Sequence, residues 1–151
     1  LADAVTSDGS LTVLTGDGTN WQLRDLTGLP LSTGSATDLE DVAWVVDHYV
    51  AVGKNIVIIT SVDGISWAVR NDGGPADNTT LTGVATNGDG SKTVAVGTNG
   101  TLLTSDDKGL NWTPWTVTEN NSLNDVTWDG SQFIVVGKRA ERLRLQRGMA
   151  G

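Results

Sequence analysis

Apolar residues in this chain recur in short alternating runs, each bounded by Gly, Asp or Asn. Val42, Trp44 and Val46 alternate, Val50 and Val52 alternate again, and Ile56 and Ile58 follow with Val57 and Ile59 between them. Runs of this length and period, punctuated by turn residues, predict half-buried β-strands. The candidate turns are Val46-Asp47-His48, Asn87-Gly88-Asp89-Gly90 and Asp129-Gly130-Ser131. Gly accepts positive φ there without a Cβ clash, and Asp or Asn side chains bond nearby amides.

The pattern itself repeats. Leu39–Trp67 is followed by a second unit at Leu81–Trp112 and by the start of a third at Leu123, with 42 residues between successive leucines. A period near 40 to 45 residues with four strands per unit predicts β-propeller blades. Strand A falls at 42–46, 84–87 and 126–128, strand B at 49–52, 93–96 and 132–136, and strand C at 56–60 and 101–104. Strand D opens at a Trp. The stretch before Trp21 matches the later part of a unit, with strand C at Leu11–Leu14. The expected architecture is therefore all-β, a partial propeller over 1–137 built from the pieces 1–25, 39–74, 81–117 and 123–137. That makes about three blades of four antiparallel strands, too few to close a ring. A homodimer would close one with six blades, each subunit's N-terminal strands finishing the partner's last blade. The alternative is that the chain is part of a longer propeller.

The most specific motif is the turn before strand D. Ser105-Asp106-Asp107-Lys108-Gly109-Leu110-Asn111-Trp112 has the form Ser-x-Asp-x-Gly-x-x-Trp, and Ser61–Trp67 and Thr15–Trp21 repeat it one residue shorter. A carboxylate inside the turn accepts bonds from exposed turn amides, Gly supplies a left-handed residue, and the Trp folds back to bury a large apolar area. Asp17, Asp63 and Asp107, with Trp21, Trp67 and Trp112, are thus expected to be structural turn residues.

These residues resemble the Asp-box (BNR) repeat of sialidases and related propellers. Val96-Gly97-Thr98-Asn99-Gly100 is also similar to the propeller family of the photosystem II assembly factor. The resemblance covers most of the chain before its tail and implies a propeller fold. It does not imply catalysis, because Asp boxes lie away from the catalytic centre in the enzymes that carry them. Sialidase chemistry uses three arginines, a tyrosine nucleophile and an acidic partner. Here Tyr49 is the only tyrosine, inside a strand B pattern, and Arg24 and Arg70 are the only arginines before the tail. The expectation is a protein that is not an enzyme.

Charge and composition add boundaries. The net charge is −8, yet Lys138–Gly151 carries five basic residues and one acidic, leaving 5 basic and 17 acidic in the rest. An acidic body argues against a nucleic-acid surface. The basic tail 138–151 departs from the repeat and reads as a disordered segment, with an edge strand at Leu143 and Leu145, a short helix, or an arm for an acidic partner as alternatives. No Cys is present, so disulfides and thiolate metal sites are excluded. No apolar run reaches the roughly 20 residues of a membrane-spanning helix.

Candidate ligand-binding residues are few. Asp41 and Asp125 precede strand A, at the end of a blade that opens on the central channel. Trp115 follows Pro114 outside the repeated Trp position and is the expected exposed aromatic, suited to a sugar or protein contact. Trp44 and Trp128 share a position on strand A and are expected in the core between blades. His48, the single histidine, is expected to be a solvated turn residue. No metal site is expected, because Asp17, Asp63 and Asp107 belong to separate turns, and no cofactor is implied. Asn78, Asn99, Asn111 and Asn120 stand in Asn-x-Ser/Thr triplets, relevant in a eukaryotic secreted setting.

The function expected is a non-enzymatic binding or assembly scaffold for protein or surface attachment, such as a phage or extracellular structural component. An extracellular, periplasmic or virion setting suits it. A glycan-recognising or glycan-processing domain of sialidase or glycoside-hydrolase type is the alternative, and a propeller that holds a membrane complex during assembly is a third reading.

Overall fold

The computed structural model describes residues 11–26, 28–31, 38–71, 79–115, 117 and 121–138. The expectations for the tail at 139–151 and for the triplets at Asn78 and Asn120 lie outside the described residues, as do positions 1–10, 72–74 and 116 of the expected pieces. Twelve antiparallel strands form four sheets among the described residues, and no sheet closes on itself. The chain is all-β there.

The first sheet is the hairpin of β1 (Val13–Gly16) and β2 (Trp21–Arg24). Next come β3 (Leu39–Val45), β4 (His48–Gly53), β5 (Ile58–Ser61) and β6 (Ala68–Asn71), hydrogen-bonded in chain order. The third sheet repeats that order with β7 (Leu81–Thr86), β8 (Thr93–Gly97), β9 (Leu102–Ser105) and β10 (Thr113–Trp115). The last pairs β11 (Ser122–Trp128) with β12 (Phe133–Lys138). Registers are equivalent across the sheets. Val42 opposes Ala51, Val84 opposes Ala95, and Val126 opposes Val135.

Each first strand starts about three residues earlier than the alternation predicts. A register shift after Leu39, Leu81 and Leu123 lets the chain resume pairing beyond an irregular residue. Gly53 and Gly97 end the second strands at this place, and Gly137 stands one residue before the end of β12. A Cβ on any of them would run into the carbonyl of Asp38, Thr80 or Ser122 respectively. The recurring Val-Gly is therefore a close backbone crossing that only Gly allows.

Ile56 also departs from the expected strand. Asn55 and Ile56 have φ of 59° and 61°, and Asn99 and Gly100 have 60° and 67° at the equivalent turn. Two consecutive left-handed residues suit a tight hairpin turn, for which Asn-Gly is favoured. β5 accordingly begins at Ile58. Lys138, assigned by sequence to the tail, is the last residue of β12.

Among the described residues, three apolar layers lie between the sheets. The largest joins Val45, Val50, Val52 and Ile58 to Leu81, Val84, Ala95 and Leu103 of the third sheet. A second joins Ala51, Val57 and Ile59 to Leu11 and Leu26, and a third sets Val126 against Val94 and Val96. Along β3 the buried face differs from the one expected. Val45 is buried and Ala43 packs on the main core, whereas Val42, Trp44 and Val46 are about half exposed. Both faces of β3 are apolar, so only the neighbouring sheet decides which is covered. Trp44 instead meets Tyr49 edge-on at 4.7 Å, and the equivalent Trp128 lies 4.8 Å from Phe133.

Candidate functional site

The three Ser/Thr-x-Asp turns use their carboxylates locally. Asp17 Oδ1 accepts the Thr19 and Asn20 amides at 2.9 and 2.8 Å, and Asp63 Oδ1 accepts those of Ile65 and Ser66 at 2.8 and 2.9 Å. In the longer turn the Asn111 amide donates to Asp107 Oδ1 at 2.8 Å and its side-chain amide to Oδ2 at 2.6 Å. Ser61 and Ser105 sit beneath. Their buried hydroxyls donate to Asp63 and Asp107 and accept the Gly64 and Gly109 amides at 2.8 Å. The indoles of Trp67 and Trp112 then donate back to the Gly64 and Gly109 carbonyls.

These bonds favour the charged carboxylate. The Asn20 and Thr19 amides lower the pKa of Asp17, and those of Ser66 and Ile65 lower that of Asp63. For Asp107, burial is the largest single influence and pushes upward. It is outweighed by the Asn111 amide and side chain, the Ser105 hydroxyl and the Leu110 amide, which together hold the pKa at about 2. Such groups are poor proton carriers near neutral pH and good turn caps.

Asp41 and Asp125 occupy the same place on β3 and β11, beside the register shift. Asp41 Oδ1 accepts its neighbour's amide, Val42, at 2.8 Å, and Oδ2 accepts the Val84 amide at 3.0 Å. Asp41 thus ties the second sheet to the third. Asp125 caps Val126 at 2.8 Å and lies against Gly83, whose absent Cβ leaves room for it. The two carboxylates therefore flank Gly83 and Val84 of β7. Thr82 makes the corresponding tie onward, its hydroxyl donating to the Leu123 carbonyl at 2.6 Å.

Trp115 lies on β10, exposed, with its indole nitrogen donating to Thr104 Oγ1 at 2.7 Å. Arg70 makes the equivalent contact with Thr60 at 2.9 Å. The ring is held at the surface by one bond rather than by packing.

His48 is not solvated. It is buried, with Nδ1 2.6 Å from Asp47 Oδ1 and Nε2 2.6 Å from the Lys108 carbonyl. Its bond to His48 and the nearby Lys108 ammonium lower the pKa of Asp47. The short turn delivers the ring onto the Asp107 turn of the next sheet, a contact that local sequence does not signal. His48 is a clasp between sheets.

The sequence also misses a cleft of about 470 Å³ between the first hairpin and β3–β4. Leu14, Trp21, Val42, Tyr49 and Trp67 line it, with Glu40 and Asp41 at its edge. Aromatic faces beside carboxylates are the usual equipment for stacking on and hydrogen-bonding a sugar. Among the described residues, no three His, Asp or Glu side chains converge on a point that would hold a metal ion. Comparison of the chain with protein-family models and with curated proteins found no match.

Proposed function

We propose that this chain is a non-enzymatic binding or assembly scaffold, built of propeller-type blades with Asp-box turns and closed by a second copy into a six-bladed ring. One observation carries the reading. Two complete sheets with equivalent registers stand between a first-and-second-strand pair, β11–β12, and a hairpin, β1–β2, that ends in the same turn as a third-and-fourth-strand pair. Among the described residues, the strands of each pair are the kind that the other pair does not include. The box carboxylates are engaged by turn amides, so the titratable groups serve rigidity and the exposed loops and faces are left for binding. Light scattering after size exclusion tests this reading. A mass twice the 15.8 kDa of one chain supports the ring, and a monomer rejects it.

The aromatic cleft favours glycan recognition as a second reading. The two readings compete for one space, because the ring would seat a partner where a sugar would lie. A glycan array separates them, since a scaffold closed over the cleft gives no sugar signal.

A further inference from the structure

We propose that a second copy of this chain seats its Val42 on Ile134 and Val136, in the register that already joins the chain's own sheets. This rests on the self-assembly reading and names its interface.

The contact occurs twice within one chain. Val84 of β7, 5% exposed, packs with Val50 and Val52 of β4. One unit on, Val126 of β11, 6% exposed, packs with Val94 and Val96 of β8. Each step sets a first-strand valine on the two second-strand residues of the sheet before it. At the ends of the stack the same positions are bare. Val42 stands where Val84 and Val126 stand, opposite Ala51, and is 55% exposed. Ile134 and Val136 flank Val135 as Val50 and Val52 flank Ala51, yet they are 42% and 56% exposed where Val52 and Val96 are at 0%. One end is a knob without a seat and the other a seat without a knob. A second copy is the occupant because its Val42 holds on β3 the place that Val84 and Val126 hold on β7 and β11, where each fills the equivalent seat inside the chain.

The strand edges give the same register independently. Second and third strands pair Val50 with Thr60 and Val94 with Thr104. Aligned on the Ser/Thr-x-Asp turns, Leu14 holds the place of Thr60 and Thr104 and is exposed. Among the described residues no strand pairs with the outer edge of β12, and in the proposed register that edge meets β1 of the second copy with Ile134 opposite Leu14. Heterologous contacts of this kind close when the rotation between copies allows. Two copies supply six sheets, within the range of closed propellers.

The test combines solution mass with cross-linking of the full 151-residue chain. Wild type is expected at two chains. Val42→Asp and Val136→Asp place a carboxylate at sites exposed in the single chain, so each is expected to keep the wild-type far-ultraviolet spectrum. Each should associate on the order of 100-fold more weakly, because the charge would be buried without a partner. Mild oxidation of the double variant Leu14→Cys/Ile134→Cys is expected to give a covalent dimer, and Val13→Cys/Ile134→Cys, one residue out of register, little or none. A wild-type dimer that persists in both Asp variants overturns this interface while leaving self-assembly standing, as does equal cross-linking of the two cysteine pairs. A monomer at every concentration removes both, and assigns the bare faces to another occupant such as the chain's own C-terminal segment or a different protein.

Discussion

Trp112 and Trp21 hold the same place in the same kind of turn and meet different surroundings. Trp112 packs against the main core and donates to the Gly109 carbonyl at 2.9 Å. Trp21 is more than half exposed. The turns beneath them nonetheless close alike, with Asp17 and Asp107 both capped by amides a few residues on. The turn is therefore a local object, complete within eight residues. Burial of its indole is not local, because the surface that receives it belongs to the sheet one unit earlier. Trp67 lies between these cases, packed on the layer that includes Leu11 and Leu26.

Paired substitutions test this separation. The largest contrast is expected between Gly109→Ala and Gly18→Ala. Both residues have positive φ, 91° and 95°, but a Cβ on Gly109 would lie 2.7 Å from Val50 Cγ2 whereas one on Gly18 meets nothing within 4 Å. Urea midpoints should show a loss of about 4 kcal/mol at Gly109 and about 1 kcal/mol at Gly18, the difference being the clash. Equal losses would mean that the third-sheet turn does not press on β4.

Trp112→Ala should cost up to about 3 kcal/mol and Trp21→Ala under about 1 kcal/mol in a lone chain, read from the same midpoints. Ser105→Ala removes a buried hydroxyl that serves two amides and should cost roughly 1–3 kcal/mol. Thr15 does not bear the same load, since its hydroxyl accepts from Arg24 at 2.7 Å, so Thr15→Val should cost less.

The smallest effect is expected in acid. The Asp107 pKa is lowered from 3.8 to about 2 on folding. The stability it contributes is therefore full above about pH 4 and is lost as the pH falls through about 2. Melting temperatures of wild type and Asp107→Ala should differ at pH 6, come closer by pH 2 and converge below it. A gap unchanged at pH 2 would assign the effect to packing.

Much of the fold was legible because its signals are short in range. Alternation located the strands, the 42-residue spacing grouped them, and Ser-x-Asp predicted how Asp63 and Asp107 would be used. The covered face of β3 was not legible, since Ala43 and Val45 alternate with Val42 and Trp44 and both sets are apolar. Nor was the bond from Val84 to Asp41, which spans 43 residues. His48 looked like a turn residue because its acceptor, the Lys108 carbonyl, is 60 residues away. The aromatic cleft combines residues from three separate runs, none distinctive alone.

The stacking of β3, β7 and β11 has a direction. A first-strand valine always looks back along the chain, and a pair of second-strand residues always looks forward. Under the self-assembly proposed above, copies join unlike end to unlike end, and each added copy presents a new end of the opposite kind until one closes the ring. Copies related in this way lie on a common screw axis. With no rise per copy the screw is a finite ring, and with any rise it is a filament without limit.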